Sequence, residues 1–257
     1  MRAEGVEYLS ALEQLEELSI GIYSLNSFDF LKAIPNGLKA LSLGATKSKK
    51  PRLEPLVRFQ SLTKLYIEGQ EHGIDVITEL RELEDLTLRS ISTPNLEYLL
   101  TLPRLRSLNI KLGGIKSLSA IAGKESIQYL ELWRIRGLSD ISVISSLTGL
   151  QYLFLQDLRN VSSIPDLSKL TKLRRIHLEN MKGLEDVSAI RHAPALEQFI
   201  HVSAQNIPPE KYGDLLLKPS LRELFVGFGS EKKNQEFNSL VMRSGKSQYR
   251  RTQFVFQ

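Results

Sequence analysis

The chain has 257 residues, 42% of them hydrophobic, enough to bury one large core or two small ones, which excludes wholesale disorder. It has no cysteine, which excludes disulfides, thiolate metal sites and a cysteine nucleophile, and favours a reducing, cytoplasmic compartment. The net charge of +5 sits mostly at one end: residues 230–257 carry a net +4, from Lys232, Lys233, Arg243, Lys246, Arg250 and Arg251 against Glu231 and Glu236.

No apolar run reaches the ~18–20 residues of a membrane span, and no signal-peptide core follows Met1, so no membrane partner is expected. In chain order the first element is a partial repeat over residues 1–14, where Val6, Leu9, Leu12 and Leu15 recur every third residue without a strand pattern. Glu13, Glu16 and Glu17 put acid at that edge, a guard against edge-to-edge pairing.

From residue 15 the pattern L-x-x-L-x-L recurs ten times, with conservative changes. Its copies are Leu15-Leu18-Ile20, Leu38-Leu41-Leu43, Leu62-Leu65-Ile67, Leu83-Leu86-Leu88, Leu105-Leu108-Ile110 and Ile127-Leu130-Leu132. Leu150-Leu153-Leu155 and Leu173-Ile176-Leu178 follow, and two looser copies, Leu196-Phe199-His201 and Leu221-Leu224-Val226, close the series. The intervals run only from 21 to 25 residues, which identifies a solenoid. Each L-x-L alternates at period two and predicts a short strand. Between strands the apolar residues fall every third position, as in Leu138, Ile141, Ile144, Leu147 and Leu150. An α-helix would space them at 3.6, so 3₁₀ turns or extended segments are expected instead. Longer helices are expected at 209–217 and near 235–243. Phe254 and Phe256 alternate like one more L-x-L pair and suggest an eleventh, degenerate strand, which makes the basic segment 230–257 a cap.

Over roughly residues 6–229 the chain resembles the leucine-rich repeat family. The 21–23-residue copies and their three-residue returns are similar to the internalin-type, bacterial subclass. The resemblance implies an α/β solenoid: a right-handed coil with ten, or with the degenerate copy eleven, short parallel strands on its concave face and a mostly 3₁₀ or irregular convex side. The partition is 1–14 partial repeat, 15–229 solenoid and 230–257 cap. One departure concerns the asparagine common at the family's ninth motif position. Here that position holds residues such as Ile91, Ile135, Leu158 and Met181, so apolar packing and backbone hydrogen bonds must close the turn.

Enzyme signatures are missing. Gly245-Lys246-Ser247 has the ending of a phosphate loop, but Leu240 stands where its first glycine should be. The histidines His72, His177, His192 and His201 form no close pair at metal spacing, and acid pairs such as Glu84-Asp85 and Glu185-Asp186 read as solvated surface. No enzyme activity, cofactor or metal is expected.

Function in a repeat scaffold lies on outward strand residues, since the inward ones are committed to packing. Counted from the first leucine of each copy, these are the third, fifth and seventh. Large side chains collect there in copies six to eight: Tyr129, Glu131, Trp133, Tyr152, Phe154, Arg175, His177 and Glu179. Aromatics beside arginine and acid are the composition of an interface hot spot. Three readings stay open: a partner site, cross-strand packing that stabilises the sheet, and cover by the cap or a second copy. The function expected is a non-catalytic protein-binding module gripping a protein or peptide on its concave face, as an intracellular scaffold, an inhibitor or a toxin-immunity protein. The alternative is nucleic-acid binding, with the basic segment on phosphates and Tyr249, Phe254 and Phe256 stacking on bases. A monomer or weak self-association goes with either reading.

Overall fold

The computed structural model describes residues 6–250 and 252–257, in two compact units, Met1–Ala120 and Ile121–Gln257. In the first unit β1 (Glu17–Ile20), β2 (Ala40–Leu43), β3 (Lys64–Glu68), β4 (Asp85–Arg89) and β5 (Ser107–Lys111) pair in parallel, in chain order. In the second unit β6 (Tyr129–Trp133), β7 (Tyr152–Gln156), β8 (Arg175–Glu179), β9 (Gln198–Val202) and β10 (Glu223–Val226) do the same. Among the described residues these are the ten strands that the ten copies predict.

The inward leucines explain why each strand sits where it does. Leu130, Leu132, Leu153, Leu155, Ile176 and Leu178 are all fully buried, and burying a side chain of this size contributes ~1.5–3 kcal/mol. Most returns are single 3₁₀ turns, such as Glu54–Arg58, Ile74–Glu79, Ser142–Ser146 and Ser188–His192, each burying at least one of its apolar residues. The return between β7 and β8 forms no 3₁₀ helix; isolated turns such as Leu170 N to Leu167 O at 3.0 Å and Leu173 N to Leu170 O at 3.1 Å carry its buried Val161, Ile164, Leu167 and Leu170.

At the ends of these strands the chain turns without an asparagine at the ninth motif position. Six non-glycine residues at the eighth motif position, Ser90, Leu112, Arg134, Asp157, Asn180 and Ser203, take left-handed backbone with φ between 49° and 61°. That conformation costs on the order of 1 kcal/mol for an ordinary residue. Its offset is a hydrogen bond to the next strand: Asp157 N donates to Glu179 O at 3.0 Å, and Asn180 N to Val202 O at 3.0 Å. The ninth-position residues Ile91, Ile135, Leu158 and Met181 are buried beneath these turns, as their apolar character predicts. Gln70 departs from them, its buried side chain donating to Gly44 O at 3.0 Å.

The second unit ends in the helical cap. A 3₁₀ turn, Pro209–Tyr212, runs into α1 (Gly213–Leu216), and α2 (Glu231–Arg243) follows β10, close to where helices are expected. Phe237 and Val241 of α2 are buried, with Phe237 packed edge-on to Tyr212 and Phe228. The eleventh strand suggested by Phe254 and Phe256 does not form, and this expectation is corrected. Only Ser247 pairs with β10, through one parallel bridge to Glu223. The reason is that the rings of Phe254 and Phe256 pack on Tyr152 and Tyr129 of the outward face, while Arg175, Arg174 and Gln151 bond the backbone of Thr252, Val255 and Gln257.

Candidate functional site

The parallel register puts all eight candidate residues on three neighbouring strands of the second unit. Tyr129 pairs with Tyr152 and Tyr152 with Arg175; Glu131 pairs with Phe154 and Phe154 with His177; Trp133 pairs with Gln156 and Gln156 with Glu179. Three rows cross these strands, which lie about 4.8 Å from one another. The rings of Tyr129 and Tyr152 meet edge-on at 5.0 Å, and Phe154 stacks on His177 at 4.5 Å. Tyr129 Oη donates to Glu131 Oε2 at 3.2 Å, while Gln156 Nε2 donates to Glu179 Oε1 at 3.1 Å.

Asp157, one residue past β7, holds the Trp133 end of this patch. Its buried carboxylate accepts from Trp133 Nε1 at 3.4 Å, from Arg134 Nη2 at 3.1 Å and from Asn180 Nδ2. The indole is thereby oriented rather than left to rotate. The sequence reading missed Asp157 because it stands at an eighth motif position, which the strand alternation does not assign to either face.

The opposite end of the strands carries a finding the residue rows did not suggest. Residues 252–257 lie over the third-position row. Phe254 meets Tyr152 at 5.2 Å, Phe256 meets Tyr129 at 6.3 Å, and the two phenylalanines meet each other at 4.9 Å. The Arg175 guanidinium lies against Tyr152, Tyr249 and Phe254 at 5.2, 5.4 and 5.0 Å, and donates to Thr252 O at 3.3 Å. Arg175 is consequently only 4% exposed, and burial pushes the Tyr152 hydroxyl above its usual range. Of the three open readings, cover by the cap applies to one end of the patch: the chain's own segment partly covers Tyr129, Tyr152 and Arg175. Gln151 and Arg174, which bind the same segment, were also missed. They hold the second motif position, just before the strand.

Other candidates have structural roles. Lys246, of the phosphate-loop-like triplet, is buried and donates to Lys218 O at 2.8 Å and Leu221 O at 3.0 Å, sealing the last repeat. Asp186 accepts from Ser188 N and Ser188 Oγ, both at 2.9 Å, and these bonds hold its carboxyl below the usual range. His201 is buried and bonded to Tyr212. Among the described residues no three or more His, Asp or Glu side chains are placed to share a metal ion, and no helix is long and apolar enough to cross a membrane.

Strand order, 3₁₀ returns and inward leucines together define a leucine-rich-repeat fold, the fold seen in internalins. Internalin C2 of Listeria monocytogenes is similar, with 23% identity over 73% of this chain and 86% of that one and a TM-score of 0.60. A second internalin of that organism, inlF, is 18% identical over 88% of each chain, with a TM-score of 0.46. No family model matches the chain, and no curated protein does.

Proposed function

We propose that this chain is a non-catalytic protein-binding module that grips a protein partner on the outward, concave face of its second unit. The observation that carries this reading is the register of β6, β7 and β8. It gathers Tyr129, Trp133, Tyr152, Phe154 and His177 with Glu131, Arg175 and Glu179 onto one face of three adjacent strands. Large aromatics close to charged hydrogen-bonding groups are the usual hot-spot chemistry. A sheet whose strands are fixed from below presents them with little ordering cost on binding. The absence of cysteine agrees with a cytoplasmic setting, where such a module serves as scaffold, inhibitor or immunity protein.

The nucleic-acid reading has less support. Of its six cations Lys246 is engaged with backbone carbonyls, and of its three rings Phe254 and Phe256 lie on the sheet and Tyr249 lies against Arg175. Affinity capture from the native lysate tests the proposal, comparing the wild type with Trp133→Ala and with Trp133→Ala/Tyr152→Ala. Partners enriched by the wild type and lost by both variants, with melting of Trp133→Ala lowered by a few degrees at most, support it. A partner retained at the wild-type level by the double variant overturns it.

A further inference from the structure

Residues 252–257 have no secondary structure of their own, and the way the sheet holds them resembles the binding of a ligand. Gln151 makes a two-point contact with the backbone of Gln257: Oε1 accepts from N at 2.9 Å and Nε2 donates to O at 2.6 Å. A neighbouring β-strand would offer the same donor and acceptor pair. Arg174 donates to Val255 O at 3.1 Å and Arg175 to Thr252 O at 3.3 Å. These contacts recognise peptide backbone, which any extended segment supplies.

Selectivity comes from alternate side chains. Phe254 seats against Tyr152, with the Arg174 and Arg175 guanidinium groups 5.3 and 5.0 Å from its ring centre. Phe256 seats against Tyr129, while Val255 between them is 71% exposed. An aliphatic side chain could fill the Phe254 seat but would bring no π face to the two cations. The occupant is also shallow: Phe256 remains 44% exposed, and Thr252 and Gln253 are exposed. A core contact buries its apolar groups; this one leaves them accessible to exchange.

We infer that this row is a groove for an extended peptide segment of a partner protein carrying aromatic side chains two residues apart, and that residues 252–257 occupy it in cis until such a segment displaces them. The inference rests on the protein-binding reading above and names the partner's chemistry. A flexibly tethered segment competes at an effective concentration on the order of 1 mM. If the free groove binds such a peptide with a Kd of about 100 μM, the tethered occupant weakens binding in trans by about tenfold.

The test uses a fluorescein-labelled peptide, Thr-Gln-Phe-Val-Phe-Gln, titrated by anisotropy against the full chain and its Phe254→Ala/Phe256→Ala variant. The variant should bind at least about tenfold more tightly than the wild type. Binding should be lost with the peptide Thr-Gln-Ala-Val-Ala-Gln, and lost again when Tyr152→Ala is added to the variant. Should the double variant melt far below the wild type, Phe256→Ala alone serves the same comparison. Equal binding to wild type and variant, no binding to either, or equal binding of the alanine peptide would each overturn the inference. So would a wild-type dimer that Phe254→Ala/Phe256→Ala abolishes, since the groove would then hold the segment of a second copy. If the peptide fails while Trp133→Ala still loses a captured partner, the groove is refuted and the protein-binding reading stands.

Discussion

Tyr212 Oη and His201 Nδ1 lie 2.8 Å apart, and both side chains are fully buried. His201 occupies the strand position where the other copies place an aliphatic residue, so a titratable ring stands in the apolar layer beneath β9. Desolvation lowers its pKa to about 4, from an ordinary 6.5, and nearby His177 acts in the same direction. Between those two values the unfolded chain binds the proton and the folded chain does not, so acid favours unfolding. The stability contributed is complete above pH 6.5 and is lost as the pH falls toward 4. Between pH 7.5 and 5.0 the loss is about 2 kcal/mol, from 1.36 kcal/mol per pKa unit. Urea unfolding at the two pH values measures it. His201→Leu should remove that loss, although it leaves the Tyr212 hydroxyl unpaired at both pH values. An equal pH dependence in the two proteins would refute the assignment.

Much of the scaffold was legible because inward and outward residues obey different chemistry. Leu153 and its equivalents recur with little drift, since each must fill a buried layer. The rows of Tyr129, Glu131 and Trp133 then followed from register alone. The covering segment was not legible. Phe254-Val255-Phe256 alternates at period two whether it extends a sheet or lies across one. Alternation identifies extended backbone and says nothing of which surface receives it. Asp157 was hidden for a related reason: it follows the strand in left-handed backbone, where the two-residue alternation ends.

The contrast between faces predicts unequal tolerance. Leu153→Asp puts an unpaired charge into a fully buried site and should cost several kcal/mol, enough to reduce the soluble yield. Ser19→Ala, on an exposed outward position of β1, should change the urea midpoint by no more than about 0.5 kcal/mol in free energy. Comparable losses from the two would contradict the inward–outward assignment.

Two glycines should respond in opposite directions to alanine. A Cβ on Gly149 would lie 1.8 Å from Glu125 O, so the backbone of one copy must part from that of its neighbour. Gly149→Ala should therefore lose about 1–3 kcal/mol by thermal or urea unfolding. Gly213 opens α1 with free space around its Cα and helical backbone. Gly213→Ala should be neutral or gain up to about 1 kcal/mol by restricting the unfolded chain.

Lysines of the cap should divide in the same assay. Lys246→Met removes the donor to two carbonyls at the end of the last repeat, leaving Lys218 O and Leu221 O without it. A loss of about 1–3 kcal/mol follows, read as a fall of several degrees in Tm. Lys232→Gln/Lys233→Gln alters the start of α2, where Lys232 lies 4.0 Å from Glu236 in an exposed pair. Pairs of that kind contribute ~0–1 kcal/mol, so melting should barely move. A large fall from the second variant would mean that the surface charge of α2, rather than Lys246, holds the cap.

Tyr152 and Trp133 are both outward residues of the candidate patch. Their surroundings now separate them. Tyr152 touches Tyr129 at 5.0 Å, Phe254 at 5.2 Å and the Arg175 guanidinium at 5.2 Å, so its removal opens a gap among three partners. Tyr152→Ala should lower the stability of the second unit by about 1–3 kcal/mol and loosen residues 252–257, visible as faster amide exchange at Gln257, whose N–H donates to Gln151 Oε1. Trp133 stands at the other end of the strands, where its indole Nε1 donates to Asp157 Oδ2 at 3.4 Å. Trp133→Ala should cost about 2 kcal/mol or more of affinity for a captured partner, with melting lowered by a few degrees at most. Trp133→Phe, which keeps an aromatic face but drops the indole donor, should recover part of that affinity. If Trp133→Ala unfolds the unit as readily as Tyr152→Ala does, the patch is sheet packing from end to end and the binding centre lies elsewhere.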